Sequence, residues 1–167
     1  MSGQQVQILI GSDSDAEVMN RALDVLEQLG VSAHLTVASA HRSPSRVKRV
    51  IDEAIETGTK VFIVGAGAAA HLAGVVAAHS TLPVIGVPID SSPLKGWDAL
   101  LATVQMPPGV PVATVSVGKA GATNAAVLAG QILALGDKRI AAALTDYKRL
   151  LAEKVEKAAS KVERTVL

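Results

Sequence analysis

The sequence predicts an α/β fold, a three-layer α/β/α sandwich built around a five-stranded parallel sheet. Short apolar runs alternate with longer stretches of helical periodicity, and glycine or proline stands at many of the boundaries. Parallel neighbouring strands need crossover connections of this kind, which place helices on both faces of the sheet. With 167 residues, 49% of them hydrophobic, the chain suits a single domain spanning residues 1–167.

The strands and helices follow from the apolar periodicity and its breakers. Gly30 and Gly58 end the first two helices, and Pro44 fits the first turn of the second helix. Residues 1–5 carry no periodic pattern and are expected to form a flexible N-terminus. The order of elements is typical of a flavodoxin-like fold. The predicted elements are strand 6–10, helix 15–29, strand 32–38, helix 44–57, strand 60–64, helix 69–79, strand 84–87, helix 97–105, strand 113–117, helix 122–135 and helix 137–164.

The last two helices leave the subunit count open. Residues 122–133 are apolar or small nearly all round, which predicts burial on more than one face. Their second partner is either the C-terminal helix of the same chain or another subunit, and the residues favour neither. The long C-terminal helix at 137–164 is charged and amphipathic. It is too long to cover only its own sheet, so contact with a neighbouring subunit is a hypothesis.

Composition excludes several classes of function. The formal net charge is +1 and there is one Trp, one Tyr and one Phe, so neither a basic field nor a stacking platform favours nucleic acid. No cysteine is present, and no histidine-rich spacing suggests a metal. Residues 61–78 lack formal charges, but glycines interrupt them, so a strand and a helix are predicted rather than a membrane span. No signal-peptide pattern is seen, and a cytoplasmic location is expected.

Three polar loops follow predicted strands and contain most of the candidate functional residues. They are residues 11–15, residues 39–42 and residues 65–71. The carboxyl ends of parallel strands meet at one edge of a sheet, where small ligands usually bind. We therefore expect the three loops to converge on one cleft.

In the first loop, Ser12, Ser14 and Asp15 are candidate ligands for a sugar phosphate. Hydroxyls and free amides at a helix start donate to phosphate oxygens, and a carboxylate accepts from ribose hydroxyls. The alternative is structural, because Ser14 followed by Glu17 matches a capping box that needs no ligand. Since two carboxylates beside a phosphate would repel it, Asp13 or Asp15 should face sugar or solvent.

In the second loop, His41 and Arg42 stand side by side. The Arg42 guanidinium offers a fork of donors suited to phosphate or carboxylate, and an imidazole carries a proton near neutral pH. The loop position and the charged neighbour favour a catalytic His41 without excluding a structural one. By contrast, His34 lies inside a strand and His79 near a helix end, and both are interpreted as structural or surface residues.

The third loop allows two interpretations. Gly65-x-Gly67-x-x-Ala70 follows a strand and opens a helix, with Asp90 beyond the next strand, which matches a dinucleotide fingerprint and makes a nicotinamide enzyme one alternative. That fingerprint usually opens the first unit of its fold, whereas here it opens the third. In the other interpretation the glycines let the backbone approach a substrate shared with the second loop, and His71 lies in the first turn of the helix.

Five motifs stand in a fixed order along residues 6–151. They are Gly11-Ser12-x-Ser14-Asp15, Ser39-Ala40-His41-Arg42-Ser43-Pro44, Gly65-Ala66-Gly67-Ala68-Ala69-Ala70-His71-Leu72, Gln105-Met106-Pro107 and Gly118-Lys119-Ala120-Gly121-Ala122-x-Asn124-Ala125-Ala126. In order and spacing they resemble the N5-carboxyaminoimidazole ribonucleotide mutases, the class I carboxylating enzymes of purine biosynthesis. Each motif alone is weak, but five in register are highly specific.

This resemblance implies a reaction without a cofactor, in which a carboxyl group moves from the exocyclic nitrogen to carbon 4 of the aminoimidazole ribonucleotide. It implies that His41 is the general acid and base and that Ser12, Asp15 and Arg42 bind the ribose phosphate. It also implies an octamer with sites between subunits. A carboxylase that uses carbon dioxide directly shares the fold and substrate and is an alternative. The remaining implied substrate contacts are Ser14, Ser39, Gly65, Gly67, Ala68 and His71.

Three positions depart from the pattern of the resembling family. Its members usually carry tryptophan at Ala16, glycine at Ala68 and proline at Ala73. If the backbone at Ala68 has a positive φ, the methyl group costs on the order of 1 kcal/mol and tightens the pocket. Ala16 lacks a large packing group, so its surroundings must refill the space or leave a hole.

Overall fold

The computed structural model describes residues 3–166 and places a five-stranded parallel sheet between two helical layers. The predicted fold class is therefore confirmed, including the long C-terminal helix. A short 3₁₀ turn at Asp13–Asp15 precedes the first helix. The elements are β1 (Val6–Ile10), α1 (Ala16–Gln28), β2 (Ala33–Val37), α2 (Pro44–Glu56), β3 (Val61–Gly67), α3 (Leu72–His79), β4 (Val84–Ile89), α4 (Trp97–Val104), β5 (Ala113–Thr114), α5 (Gly118–Ala134) and α6 (Lys138–Val162).

The strand order is β2-β1-β3-β4-β5, and every neighbouring pair is parallel. Ile10 at the end of β1 stands opposite Val37 on one side and Gly65 on the other. The chain moves outward from β1 to β2 and then returns past β1 to β3. The point between β1 and β3 is therefore the switch point of the sheet, where a ligand cleft is expected.

Two apolar cores cover the two faces of the sheet. Side chains alternate along each strand, so Ile8 and Ile10 face α1 and α5, whereas Leu9 and Val64 face α2 and α3. All four side chains are buried. The helix that follows β1 and the helix that follows β3 thus lie on opposite faces, and their preceding loops diverge at the carboxyl edge.

Four predicted boundaries shift in the structure. Strand β3 continues to Gly67, because Gly67 pairs with Ile89 of β4, and α3 begins only at Leu72. Strand β5 is reduced to Ala113–Thr114, and α5 begins at Gly118. The shift at the end of β3 matters most, since it places Gly65 and Gly67 within the strand rather than in the turn that follows it.

Helix α5 finds its partners within the chain. Its small residues are buried against α1 and the sheet, and α6 packs over it through Ile140, Leu144 and Tyr147. The same-chain interpretation of residues 122–133 therefore accounts for their burial, and the second partner from another subunit is not needed. The C-terminal half of α6 leaves Leu151 and Val155 exposed.

The chain before β1 is attached to the domain in its described part. Gln5 donates its backbone N–H to Ser32 Oγ at 3.0 Å, and its carbonyl accepts from Lys60 N at 2.9 Å. Met1 and Ser2 of the predicted flexible N-terminus lie outside the described residues. Within residues 3–166, no helix combines the length and apolar character needed to cross a membrane.

Candidate active site

The three predicted loops converge on one cleft of about 260 Å³ at the carboxyl edge of the sheet. The loop after β1 contributes Ser12, Ser14 and Asp15, and the loop after β2 contributes Ser39 to Arg42. The end of β3 and the residues after it form the third wall. The remaining lining residues are Gly11, Ala66, Gly67, Ala68, Ala69, Leu72 and Ser91.

Asp13 organises the first loop from its outer side. Its carboxylate accepts from Ser12 Oγ at 3.0 Å and from Ser14 N–H at 3.1 Å, and it does not line the cleft. This agrees with the prediction that one of the two carboxylates faces away. The structural alternative, a capping box of Ser14 and Glu17, does not form, because Glu17 instead pairs with Lys119 Nζ at 2.5 Å.

Asp15 is the buried acid of the cleft, with only 5% of its surface exposed. Its carboxylate accepts from the backbone N–H of Ser12 at 3.2 Å. Burial raises the pKa of Asp15 above its ordinary value of 3.8, and the Ser12 N–H and the charge of Arg42 offset part of this rise. The site therefore holds an acid whose ionised form is costly until a partner such as a sugar hydroxyl donates to it.

Arg42 joins the first two loops. Its Nη2 donates to the carbonyl of Gly11 at 2.9 Å, while its Nε and backbone N–H both donate to Ser39 Oγ, at 3.4 and 3.2 Å. Ser39 in turn donates its N–H to Ser43 Oγ at 3.1 Å. Since a guanidinium carries five donors, several remain for an anion in the cleft.

His41 reaches across to the third loop. Its Nε2 lies 2.8 Å from Nδ1 of His71, and the two rings meet edge to face with centroids 5.0 Å apart. His71 stands at the start of α3, outside the lining residues, and contacts the cleft through this bond. The second and third loops are therefore joined by two imidazoles, one of which donates while the other accepts.

The other two histidines have the structural roles expected of them. His34 lies in β2 with Nδ1 3.3 Å from Oε1 of the buried Gln7. His79 lies at the end of α3 with Nδ1 2.9 Å from the carbonyl of Val75. Neither residue lines the cleft.

The third wall depends on backbone conformation at two residues. A Cβ added to Gly67 would lie 1.8 Å from Ser91 Oγ, so only glycine leaves room for that hydroxyl. Ala68 has a φ of +49°, which lies in the left-handed region where a residue with a side chain is strained. The backbone of Ala68 is therefore held in an unfavourable conformation directly beside the cleft.

Gly65 does not line the cleft, in contrast to its implied role as a substrate contact. It is buried within β3, and a Cβ there would lie 2.6 Å from the sulfur of Met19. Its missing side chain serves the packing of α1 on the sheet. Asp90 also lies outside the lining residues, and Gly67 precedes α3 by several residues, so the geometry does not support the dinucleotide alternative.

Sequence reasoning missed Ser91, which enters the cleft from the loop after β4. The available signal was its position, since Ser12 and Ser39 also follow apolar strands by one or two residues. Ser91-Ser92-Pro93 instead has the composition of an ordinary turn.

Two of the three positions that depart from the pattern of the resembling family lie at the starts of helices. Ala16 opens α1, is partly buried and packs against the core between α1 and α5. Ala73 is buried in the first turn of α3, a place where proline is also tolerated, and its Cβ lies beside Gly86.

Comparison with known proteins agrees with this geometry. The model of one protein family, described as AIR carboxylase, matches residues 5–154. The chain belongs to the AIR carboxylase family. An N5-carboxyaminoimidazole ribonucleotide mutase of Bacillus subtilis is 52% identical over 143 residues, covering 86% of this chain and 88% of that protein. One of Brucella melitensis is 49% identical over 150 residues, covering 90% of this chain and 93% of the relative.

Solved protein structures share this fold. Treponema denticola PurE superposes with a TM-score of 0.86 at 30% sequence identity, covering 95% of this chain and 98% of the other. This chain and Treponema denticola PurE therefore share their overall fold.

Replacing Ala68 by glycine should raise the free energy of unfolding by up to about 1 kcal/mol, because glycine adopts a positive φ without a steric penalty. Urea unfolding of both proteins measures the change. Ala69→Gly is the matched control, since Ala69 has no positive φ and the substitution only adds freedom to the unfolded chain. Equal changes in the two variants would contradict the strain at Ala68.

Asp15→Asn should stabilise the protein at neutral pH, and the gain should vanish as the pH falls below 3.8. Because folding raises the pKa of Asp15, the folded protein binds this proton more tightly than the unfolded chain, and the ionised carboxylate destabilises the fold above the folded pKa. Unfolding in urea across this pH range tests it. Asp24→Asn, an exposed aspartate of α1, provides the comparison. A gain that persists at low pH would rule out burial of the charge as its cause.

Proposed function

We propose that the chain is an N5-carboxyaminoimidazole ribonucleotide mutase, which moves the carboxyl group from the exocyclic nitrogen to carbon 4 of the aminoimidazole ring in purine biosynthesis. The observation that carries the proposal is the single cleft in which His41 and Arg42 meet Ser12 and Asp15. The names of the similar proteins of Bacillus subtilis and Brucella melitensis support the same reaction.

The phosphate end of the substrate is assigned to the loops after β1 and β2. Arg42 supplies a charged fork, and Ser12 and Ser14 supply hydroxyls at the 3₁₀ turn that lines the same cleft. Asp15, held inward by the Ser12 N–H, is placed to accept from a ribose hydroxyl. Ser39 binds indirectly, since its hydroxyl positions Arg42.

In the proposed reaction, His41 donates one proton and later accepts one, so that no proton is gained or lost overall. When the bond between the exocyclic nitrogen and the carboxyl carbon breaks, carbon dioxide leaves and the nitrogen gains the proton from His41. Carbon 4 then attacks the carbon dioxide, and its hydrogen returns to His41 as the new carbon–carbon bond forms. No electron is transferred, so the chemistry requires only a proton carrier and a closed space.

The end of β3 provides one wall of this space. Gly67, Ala68 and the buried Leu72 line the cleft, and His71 anchors the ring of His41 over it. These groups are mostly apolar or backbone, so they favour carbon dioxide over water in the space between the two reaction steps.

A carboxylase that uses carbon dioxide directly is the remaining alternative, since it would bind the same nucleotide. Purified protein should convert the carbamate substrate into the carbon 4 carboxylate without added bicarbonate. Product formation that instead depends on bicarbonate would favour the carboxylase.

Assembly into an octamer and a cytoplasmic location belong to the same proposal. Two exposed apolar surfaces support assembly. One surrounds α4, where Trp97 is 67% exposed, and the other is the C-terminal half of α6. A cytoplasmic location fits a phosphorylated substrate, because its charge keeps it from crossing a membrane. The exposed apolar residues of the first surface, called the α4 patch below, are Leu94, Trp97, Leu101 and Val104.

His41→Asn should lower kcat by a factor of about 10²–10⁴, the usual contribution of a positioned acid or base, while the dissociation constant of the product nucleotide changes little. Steady-state kinetics and calorimetric titration measure the two effects. His79→Asn, at a histidine outside the cleft, should leave both unchanged. Turnover that survives in His41→Asn would remove the proposed proton carrier.

Sedimentation of the wild-type protein should give the mass of an octamer, and Trp97→Lys should give smaller species because it places a charge in the α4 patch. Leu135→Lys is the control, since Leu135 is 90% exposed in the connection between α5 and α6, away from that patch. A monomeric wild-type protein, or no effect of Trp97→Lys, would contradict this role of the α4 patch.

A further inference from the structure

The loop after β4 adds a fourth wall to the cleft through Ser91. The strand β4 ends at Ile89, directly beside Gly67 of β3, so Ser91 follows the neighbouring strand at the same edge. Gly67 has no Cβ at the position where the Ser91 hydroxyl lies, 1.8 Å from where that carbon would be. The absence of a side chain at Gly67 thus leaves the space that the Ser91 hydroxyl occupies at the cleft.

The order of the strands indicates how a bound nucleotide is oriented along the edge of the sheet. Arg42 and the loop of Ser12 and Asp15 stand over β2 and β1, whereas Ser91 stands over β4 at the other end of the row. Neighbouring strands are about 4.8 Å apart, so β2 and β4 are separated by roughly 14 Å. With the phosphate over β2 and β1, the ring end of the nucleotide lies over β3 and β4.

We infer that Ser91 donates a hydrogen bond to the migrating carboxylate, an inference that rests on the proposed function. The carboxylate is the anion at the ring end both before and after the reaction. A serine hydroxyl rotates about its Cβ–Oγ bond, so one donor serves the carboxylate on the exocyclic nitrogen and then on the adjacent ring carbon. Ser91 is thereby a specificity-determining residue that distinguishes carboxylated from uncarboxylated ring.

The neighbouring Ser92 provides the matched control. Its hydroxyl accepts from the backbone N–H of Leu94 at 3.1 Å and so belongs to the turn, and Ser92 does not line the cleft. Ser91→Ala and Ser92→Ala therefore remove the same atom from adjacent residues, one facing the ligand and one holding the loop.

The test measures binding of three probes by calorimetry with the wild-type protein and both variants. The probes are ribose 5-phosphate, aminoimidazole ribonucleotide and its carbon 4 carboxylate. Ser91→Ala should weaken binding of the carboxylate by about 10-fold or more, as expected for a lost hydrogen bond to a charged group, and leave the other two probes unchanged. Ser92→Ala should change none of the three selectively.

The other possible results contradict either the role of Ser91 or the proposed function. Equal weakening of the carboxylated and uncarboxylated nucleotides by Ser91→Ala, or no weakening, overturns the assignment of the carboxylate to Ser91. If the wild-type protein binds neither nucleotide and does not convert the carbamate, the proposed function itself fails. A wild-type protein that is active while Ser91→Ala binds normally leaves the proposed function intact and removes only this inference.

Discussion

The parallel register of the sheet is the constraint on which the site depends. Because β1 pairs with β2 and β3 in the same direction, Ile10 at the end of β1 lies in one row with Val37 at the end of β2 and Gly65 near the end of β3, and every following loop begins at the same edge. The helices after β1 and β3 then leave toward opposite faces of the sheet. Their loops must separate at this point, and the separation is the cleft.

Hydrogen bonds between loops keep the cleft in shape without a ligand. Arg42 binds the carbonyl of Gly11, and His41 binds His71, so the loop after β2 is attached to both of its neighbours. Within the first loop, Asp13 binds Ser12 and the amide of Ser14. Most of the cleft is therefore held in place by its own side chains before substrate enters, which favours both affinity and rate.

The strand and helix order could be predicted because apolar periodicity and helix breakers are local properties of the sequence. The end of β3 could not, since Gly65 and Gly67 are typical of a turn and only pairing with β4 extends the strand through them. The partner of Glu17 could not be predicted for a similar reason. Its partner, Lys119, lies far away in the sequence and becomes a neighbour only when α5 packs beside α1.

The same distinction, between what the local sequence shows and what only tertiary contacts determine, applies to the site residues. Ser12, Asp15, His41 and Arg42 stand in short motifs next to strand ends, and the structure brings all four to one cleft. Gly65 shares such a motif, but the place where its Cβ would lie is occupied by the side chain of Met19 from α1. Ser91 belongs to a turn-like segment without a recognised motif. Its place in the cleft depends on the tertiary pairing of β3 with β4.

The contact between His41 and His71 has a consequence for how the empty enzyme accepts its substrate. Two ring nitrogens 2.8 Å apart share a single hydrogen, so Nε2 of His41 is already satisfied before any ligand arrives. A nucleotide that is to exchange a proton with this nitrogen must first separate the two rings, at a cost of about 0.5–1.5 kcal/mol for one neutral hydrogen bond. The resting imidazole is thereby engaged with an internal partner, and small solutes that cannot open the pair meet a shielded base.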